Sequence, residues 1–174
     1  MFADPVKILQ SFGLGDSMIV ADLGAGSGFY SIAAAKMVPN GKVYVVEVQK
    51  DFLTTVKTKA ETEHLRNLEY IWGDIEKIGG TKIADRVADV VIISNVLFLA
   101  ENKKKIIEEA KRILKYEGRV LLIEWSDASS ALGPRAGFVF NPIKAKEMFL
   151  AEGFTFERDI SAGEHHYGIM FKKQ

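Results

Sequence analysis

The feature that most constrains the fold is a nearly continuous apolar run, VADVVIIS, at residues 87–94. A run of strand length with so little polar alternation suits a strand covered on both faces, and parallel sheets bury their strands in this way. MIVADL (18–23), KVYVVEV (42–48), LEYIW (68–72), RVLLIEW (119–125), FTFERDI (154–160) and YGIMFKK (167–173) read as further strands. Helical patterns separate them. One covers 28–38 and is stopped by Pro39, Asn40 and Gly41; another covers 50–64, with Leu53, Val56 and Ala60 on one face. A third covers 102–116, where Ile106, Ile107, Ala110, Ile113 and Leu114 form a face, Asn102 is the N-cap and Gly118 lies just past the end. Asn141-Pro142 opens a fourth, which ends before Gly153. Such alternation implies right-handed crossovers and a mostly parallel sheet with helices on both faces. The short gap between the last two strands predicts an antiparallel hairpin.

The 174 residues suit one domain, taken as 1–174, with no internal repeat or linker. Lys plus Arg and Asp plus Glu both number 23, so the formal charge is zero, which excludes a nucleic-acid binder held by bulk charge. There is no Cys, which excludes disulfide scaffolds, thiolate metal sites and cysteine nucleophiles. No run approaches the roughly 20 apolar residues that span a bilayer. MFADPVK does not read as a secretory signal, so a cytoplasmic location is expected.

Ligands of open parallel sheets bind outside the carboxyl ends of the strands. Directly after the first strand stands Asp22-Leu23-Gly24-Ala25-Gly26-Ser27-Gly28, opening the next helix. The dinucleotide fingerprint needs its third Gly at position 29, which is Phe29, so the spacing argues against a nicotinamide or flavin dinucleotide. The second strand ends at Glu47, where a carboxylate can accept both hydroxyls of a ribose. The third ends in Gly73-Asp74-Ile75, where an acid can accept from an adenine amine and the next N–H can bond a ring nitrogen.

VADLGAGSGFYS, Glu47, WGDIE, ADVVIISNVL and KRILKYEGRVLLIEW together resemble the ordered motifs of class I S-adenosylmethionine-dependent methyltransferases, over nearly the whole chain. The resemblance implies a Rossmann-like, doubly wound seven-stranded sheet in the order 3-2-1-4-5-7-6, with the last strand antiparallel. It implies S-adenosylmethionine as cofactor and S-adenosylhomocysteine as product. It places Gly24, Ala25 and Gly26 at the methionine end, Asp22 near the methionyl amine, Glu47 at the ribose, Gly73, Asp74 and Ile75 at the adenine, and Asn95 near the methyl donor. The Asn/Asp-Pro-Pro-aromatic tetrapeptide of amino-methylating branches acting on nucleobases or glutamine is absent after Ser94.

Methyl transfer from a sulfonium chiefly needs alignment and exclusion of water, with a general base where the nucleophile must lose a proton. His165 and His166 in the hairpin turn are candidates for that base, and because adjacent strand residues point apart, one of the two is expected to reach the cleft. Tyr30, Asp127 and Arg135 offer polar contacts, and Trp125, Phe138 and Phe140, on the long loop after the fifth strand, offer an apolar wall. No metal site is expected. The preferred acceptor is a small molecule, with neither nucleic acid nor membrane as partner. A protein methyltransferase, a cofactor-binding module without independent catalysis and, more distantly, a dinucleotide oxidoreductase are the alternatives.

Overall fold

The computed structural model describes residues 4–128, 134–135 and 137–174. The strands are β1 (Ile19–Leu23), β2 (Lys42–Glu47), β3 (Leu68–Trp72), β4 (Ala88–Ser94), β5 (Leu114–Trp125), β6 (Phe154–Ser161) and β7 (His166–Lys173). The helices are α1 (Pro5–Phe12), α2 (Phe29–Met37), α3 (Lys50–Thr62), α4 (Lys103–Ile113) and α5 (Pro142–Ala151). One sheet takes the order β3-β2-β1-β4-β5-β7-β6, as the family resemblance implies. The pairings among β1 to β5 are parallel. β7 runs antiparallel to both β5 and β6.

The apolar run at 87–94 lies at the middle of this sheet because both its faces are covered. Val90 and Ile92 pack with α1, α2 and α3, whereas Val91 and Ile93 pack with α4 and α5. All four are fully buried, and each such side chain contributes roughly 1.5–3 kcal/mol.

Two elements depart from the sequence expectation. The helix expected to reach residue 116 stops at Ile113, and β5 begins at once with Leu114. Leu114 pairs with Ala88 and Arg119 with Val90, the register shifting between them, and Glu117 turns the chain there with φ 63°. Leu114 completes the helical stripe, but a buried strand position satisfies an apolar side chain equally, and the Lys115–Asp89 ion pair at 2.7 Å ties the segment to β4. The second departure is α1, which was not expected. Its signals are local: Asp4 Oδ1 accepts from the Val6 amide at 3.1 Å, Pro5 occupies the first turn, and Gly13 closes the helix at φ 83°.

Glu109, fully buried on α4, accepts from the amides of Gly79 and Thr81, from the Thr81 hydroxyl and from Arg112. Burial pushes its carboxyl up, but the bonds from Arg112, Thr81 and Gly79 outweigh it and hold the group at about 2. This fixes the segment between β3 and β4 and so steadies Asp74 at its start.

Candidate active site

β1 carries the chain to the carboxyl edge of the sheet, and the glycine loop turns it into α2. The amides of Gly24 and Ala25 donate to the Val46 carbonyl at 2.9 and 3.1 Å, joining the loop to β2. Gly24, Gly26 and Gly28 all have positive φ, but for different reasons. A Cβ at Gly24 would lie 2.7 Å from Val96, and one at Gly28 2.5 Å from Val56, so both are close-packing positions. A Cβ at Gly26 would meet nothing within 4 Å. Gly26 therefore faces open space and its backbone is bare toward the cleft.

That cleft has a volume of about 320 Å³. Gly24, Gly26, Glu47, Gly73, Asp74, Ile75 and Asn95 line it, so three strand ends and the loop converge as the sequence suggested. Ala25, half-buried, packs against the core on the α1–α3 face instead. Asp22 lies below the cleft, buried, and accepts from the Ser31 hydroxyl at 2.5 Å. Val48, Phe52, Val96 and Leu99 complete the walls and were not singled out in the sequence. Val48 and Leu99 are 57% and 71% exposed, which makes them apolar flanks open to a ligand. Nothing in their residue type marks them; their position just after β2 and β4 was the available signal.

Glu47 has a dual situation. Its Oε1 accepts from the amides of Val48 and Gln49 at 2.8 and 2.9 Å, and its Oε2 accepts from the Gly26 amide at 2.9 Å. The carboxylate thus braces the glycine loop against the turn into α3. It retains acceptor capacity, since an ionised carboxylate has about four lone-pair positions. At the opposite end Asp74 accepts from the Glu76 amide at 3.0 Å and pairs with Lys77 at 2.9 Å; the Lys77 bond lowers its pKa.

Glu124 is the polar residue the sequence reading passed over. It stands fully buried one residue before the end of β5, and its Oε1 accepts from the amides of Val96 and Leu97 at 2.9 and 2.6 Å. It thereby holds the turn after β4, in which Asn95 sits at φ 55° and Val96 presses on Gly24. Burial raises Glu124 to about 7 against the lowering effect of those amides, and burial likewise raises Asp22 to about 6 against the Ser31 bonds. Both carboxyls bind protons more tightly in the folded state than in the unfolded chain. Their neutral forms favour folding below the ordinary carboxyl pKa, and that contribution is lost as pH rises toward 7. Glu124→Gln removes one such group while keeping an acceptor oxygen for the two amides. Its stability relative to the parent protein is expected to improve by roughly 3 kcal/mol between pH 4 and pH 8.5. Denaturant titrations of both proteins at each pH check this, and a constant difference refutes it.

The two hairpin histidines diverge, as alternation requires. His165 Nδ1 lies 3.1 Å from Asp127, whose segment follows β5. His166 is buried against Trp125, with ring centroids 4.1 Å apart, and its pKa is lowered by burial and by His165. Tyr30, at the start of α2, is buried, and burial raises its pKa, so its hydroxyl is neutral across the physiological range. Phe140 is buried and accepts from the Tyr167 hydroxyl through its carbonyl at 2.7 Å, whereas Phe138 and Arg135 are exposed. Part of the long loop after β5, residues 129–133 and 136, lies outside the described residues. Among the described residues no group of three His, Asp or Glu could hold a metal ion, and no helix is long and apolar enough to cross a membrane.

A seven-stranded sheet in the order β3-β2-β1-β4-β5-β7-β6, with a glycine loop after β1 opening on a cleft at the carboxyl edge, is a Rossmann-like methyltransferase fold. Residues 14–151 match the model of the methyltransferase domain family, and the chain belongs to that family, which uses S-adenosylmethionine. Among solved structures, a SAM-dependent methyltransferase from Aquifex aeolicus superposes with a TM-score of 0.90 at 27% identity, over 99% of this chain and 91% of that one. Arsenite methyltransferase of Halobacterium salinarum is 32% identical over 104 residues, covering 59% of this chain and 26% of the relative. The ubiquinone/menaquinone biosynthesis C-methyltransferase UbiE of Hydrogenovibrio crunogenus is 28% identical, over 87% of this chain and 64% of the relative. The chain thus spans between about a quarter and just under two thirds of these two relatives. Ribosomal RNA small subunit methyltransferase G of Lactobacillus acidophilus matches at 27% over 86% of this chain.

The residues present fit S-adenosylmethionine. The backbone at Gly26 is open where a side chain would intrude, and Asn95 Oδ1 is buried without a protein partner at the wall of the cleft.

Proposed function

We propose that this protein transfers a methyl group from S-adenosylmethionine to a small-molecule acceptor. The observation that carries the reading is the convergence of Gly26, Glu47, Asp74 and Asn95 on one cleft at the carboxyl edge. Bound there, the cofactor supplies an activated methyl on a sulfonium sulfur. On this reading Glu47 accepts from the ribose hydroxyls while bracing Gly26, Asp74 and the Ile75 amide meet the adenine, and Val48 and Leu99 cover its faces. Asn95 stands near the methyl end. Asp22 acts from below, through Ser31 and the start of α2, rather than by direct exposure to the cleft.

The acceptor assignment rests on scale and charge. The chain carries no excess of basic residues with which to hold RNA, and its formal charge is zero. Of the candidate bases, His166 has a lowered pKa and remains neutral near pH 7, the state in which an imidazole can take a proton. His165, oriented by Asp127, is the second candidate. The cytoplasm is the compartment we assign.

The test uses methyl-labelled cofactor and fractionated cell extract, alongside calorimetry with S-adenosylhomocysteine. Label is expected in small metabolites. Label confined to protein or RNA overturns the acceptor class, and absence of S-adenosylhomocysteine binding overturns the whole reading.

A further inference from the structure

Buried polar atoms normally find partners, so those that do not are informative. Among the described residues, the buried side-chain atoms without a protein partner are Tyr30 Oη, Asn95 Oδ1, Glu124 Oε2 and both ring nitrogens of His166. All four residues belong to the carboxyl edge of the sheet. Away from that edge, Glu109 and Lys173 are bonded in full view: Lys173 donates to the carbonyls of Lys111 and Leu114 at the amino edge. The unmet hydrogen-bonding capacity is concentrated where the acceptor must lie.

Tyr30 and His166 share one face. Ile123 of β5 packs with α1, α2 and α3, so alternation puts Trp125 on that side too. His166 pairs with Trp125 in register, and Ser94 pairs with Ile123. Tyr30, on α2, has the Ser94 side chain beside it without a bond of good geometry. The strand bearing Ser94 and the strand bearing His166 are two spacings apart, roughly 10 Å. The strand between them carries Trp125, whose ring meets that of His166 at a tilt of 35°. A single benzene ring with a polar group at each end and a hydrogen bond beyond each covers about the same span.

Resting on the methyl-transfer reading, we propose that the acceptor is a small, flat, uncharged ring with a hydrogen-bonding group at each end, held on Trp125 between Tyr30 and His166. One end meets the Tyr30 hydroxyl, beside Ser94. The other end meets an imidazole nitrogen of His166, which takes the proton released when a hydroxyl or amine at that end is methylated. An anionic group at that end is disfavoured, because the one buried cation among the described residues is Lys173, at the far edge. A desolvated carboxylate without a cation is costly. The neutral states of Tyr30 and His166 agree with an uncharged ligand.

The probes are 4-hydroxybenzamide, 4-hydroxybenzoate and 4-methylphenol, titrated calorimetrically into the protein saturated with S-adenosylhomocysteine. 4-Hydroxybenzamide is expected to bind at least tenfold more tightly than the anionic or the singly polar probe. Tyr30→Phe and His166→Phe keep the rings and remove atoms that have no protein partner, so both variants are expected to fold and to bind S-adenosylhomocysteine normally. Each is expected to lose tenfold or more in affinity for 4-hydroxybenzamide. Equal or tighter binding of 4-hydroxybenzoate, unchanged affinity in both variants, or no binding of 4-hydroxybenzamide to the loaded protein overturns the acceptor proposal alone. Failure of the parent protein to bind S-adenosylhomocysteine instead overturns the methyltransferase reading on which it rests.

Discussion

Gly26→Val is expected to reduce affinity for S-adenosylhomocysteine at least a hundredfold while leaving a folded protein. A valine there would project into the open part of the cleft, since no protein atom lies within 4 Å of the added Cβ. The fold has space for the side chain and the ligand does not. The left-handed backbone at φ 52° adds a cost of about 1–2 kcal/mol, which lowers the melting temperature without unfolding the chain. Gly28→Ala is the matched control. Its Cβ would lie 2.5 Å from Val56, so the damage falls on packing between α2 and α3 and appears as lost stability. Calorimetry and thermal melts on the two variants separate the roles, and a dissociation constant for Gly26→Val within threefold of the parent would show that the loop is not the site.

Glu47→Gln is expected to weaken both ligand binding and the unliganded protein, which a purely ligand-directed or purely structural carboxylate would not do. Gln retains one oxygen for the Val48 and Gln49 amides, but its amide nitrogen then confronts the Gly26 amide, donor against donor. Losing that charge-assisted bond costs about 1.5–3 kcal/mol in the unliganded state. Affinity falls a further ten- to a hundredfold, because the ribose loses a charged acceptor and Gly26 is no longer held in place. A fall in stability alone, with the dissociation constant unchanged, assigns Glu47 to bracing and removes it from the binding surface.

The strands, the parallel sheet and most of the cleft were legible because they depend on signals that recur with fixed spacing, whereas the strand order came only through the family resemblance. Continuous apolar runs at 87–94, glycine after β1, and acids at 47 and 74 are each visible without coordinates. What was hidden depends on pairing across distant segments. Glu124 reads in sequence as one more polar residue at a strand end, yet its function is to hold the turn at Asn95, which needs the β4–β5 register to be known. The boundary between α4 and β5 was misplaced because Leu114 suits a helix face and a buried strand alike. The distinction among Gly24, Gly26 and Gly28 was also invisible, since it turns on whether Val96, empty space or Val56 lies opposite.

The way α1 is attached has a consequence for the order of folding. Arg119 reaches from β5 to the Phe12 carbonyl, 107 residues away in sequence, and Arg158 reaches from β6 to the Ser11 carbonyl, 147 residues away. β1 itself is held at its start by Asp89, whose carboxylate accepts from the Ile19 amide 70 residues earlier. Loops of that length must close before these contacts reward the chain. A chain being synthesised can thus pair β1 with β2 and set α1 against α2 early, but β1 gains its second neighbour only with β4, and α1 its Arg158 tie only with β6. The attachment of α1 is among the last to be completed, and in the interval its apolar face, Ile8, Leu9 and Phe12, is only partly covered. Aggregation during synthesis should therefore be sensitive to that face, and least so when translation from β1 through β6 is fast.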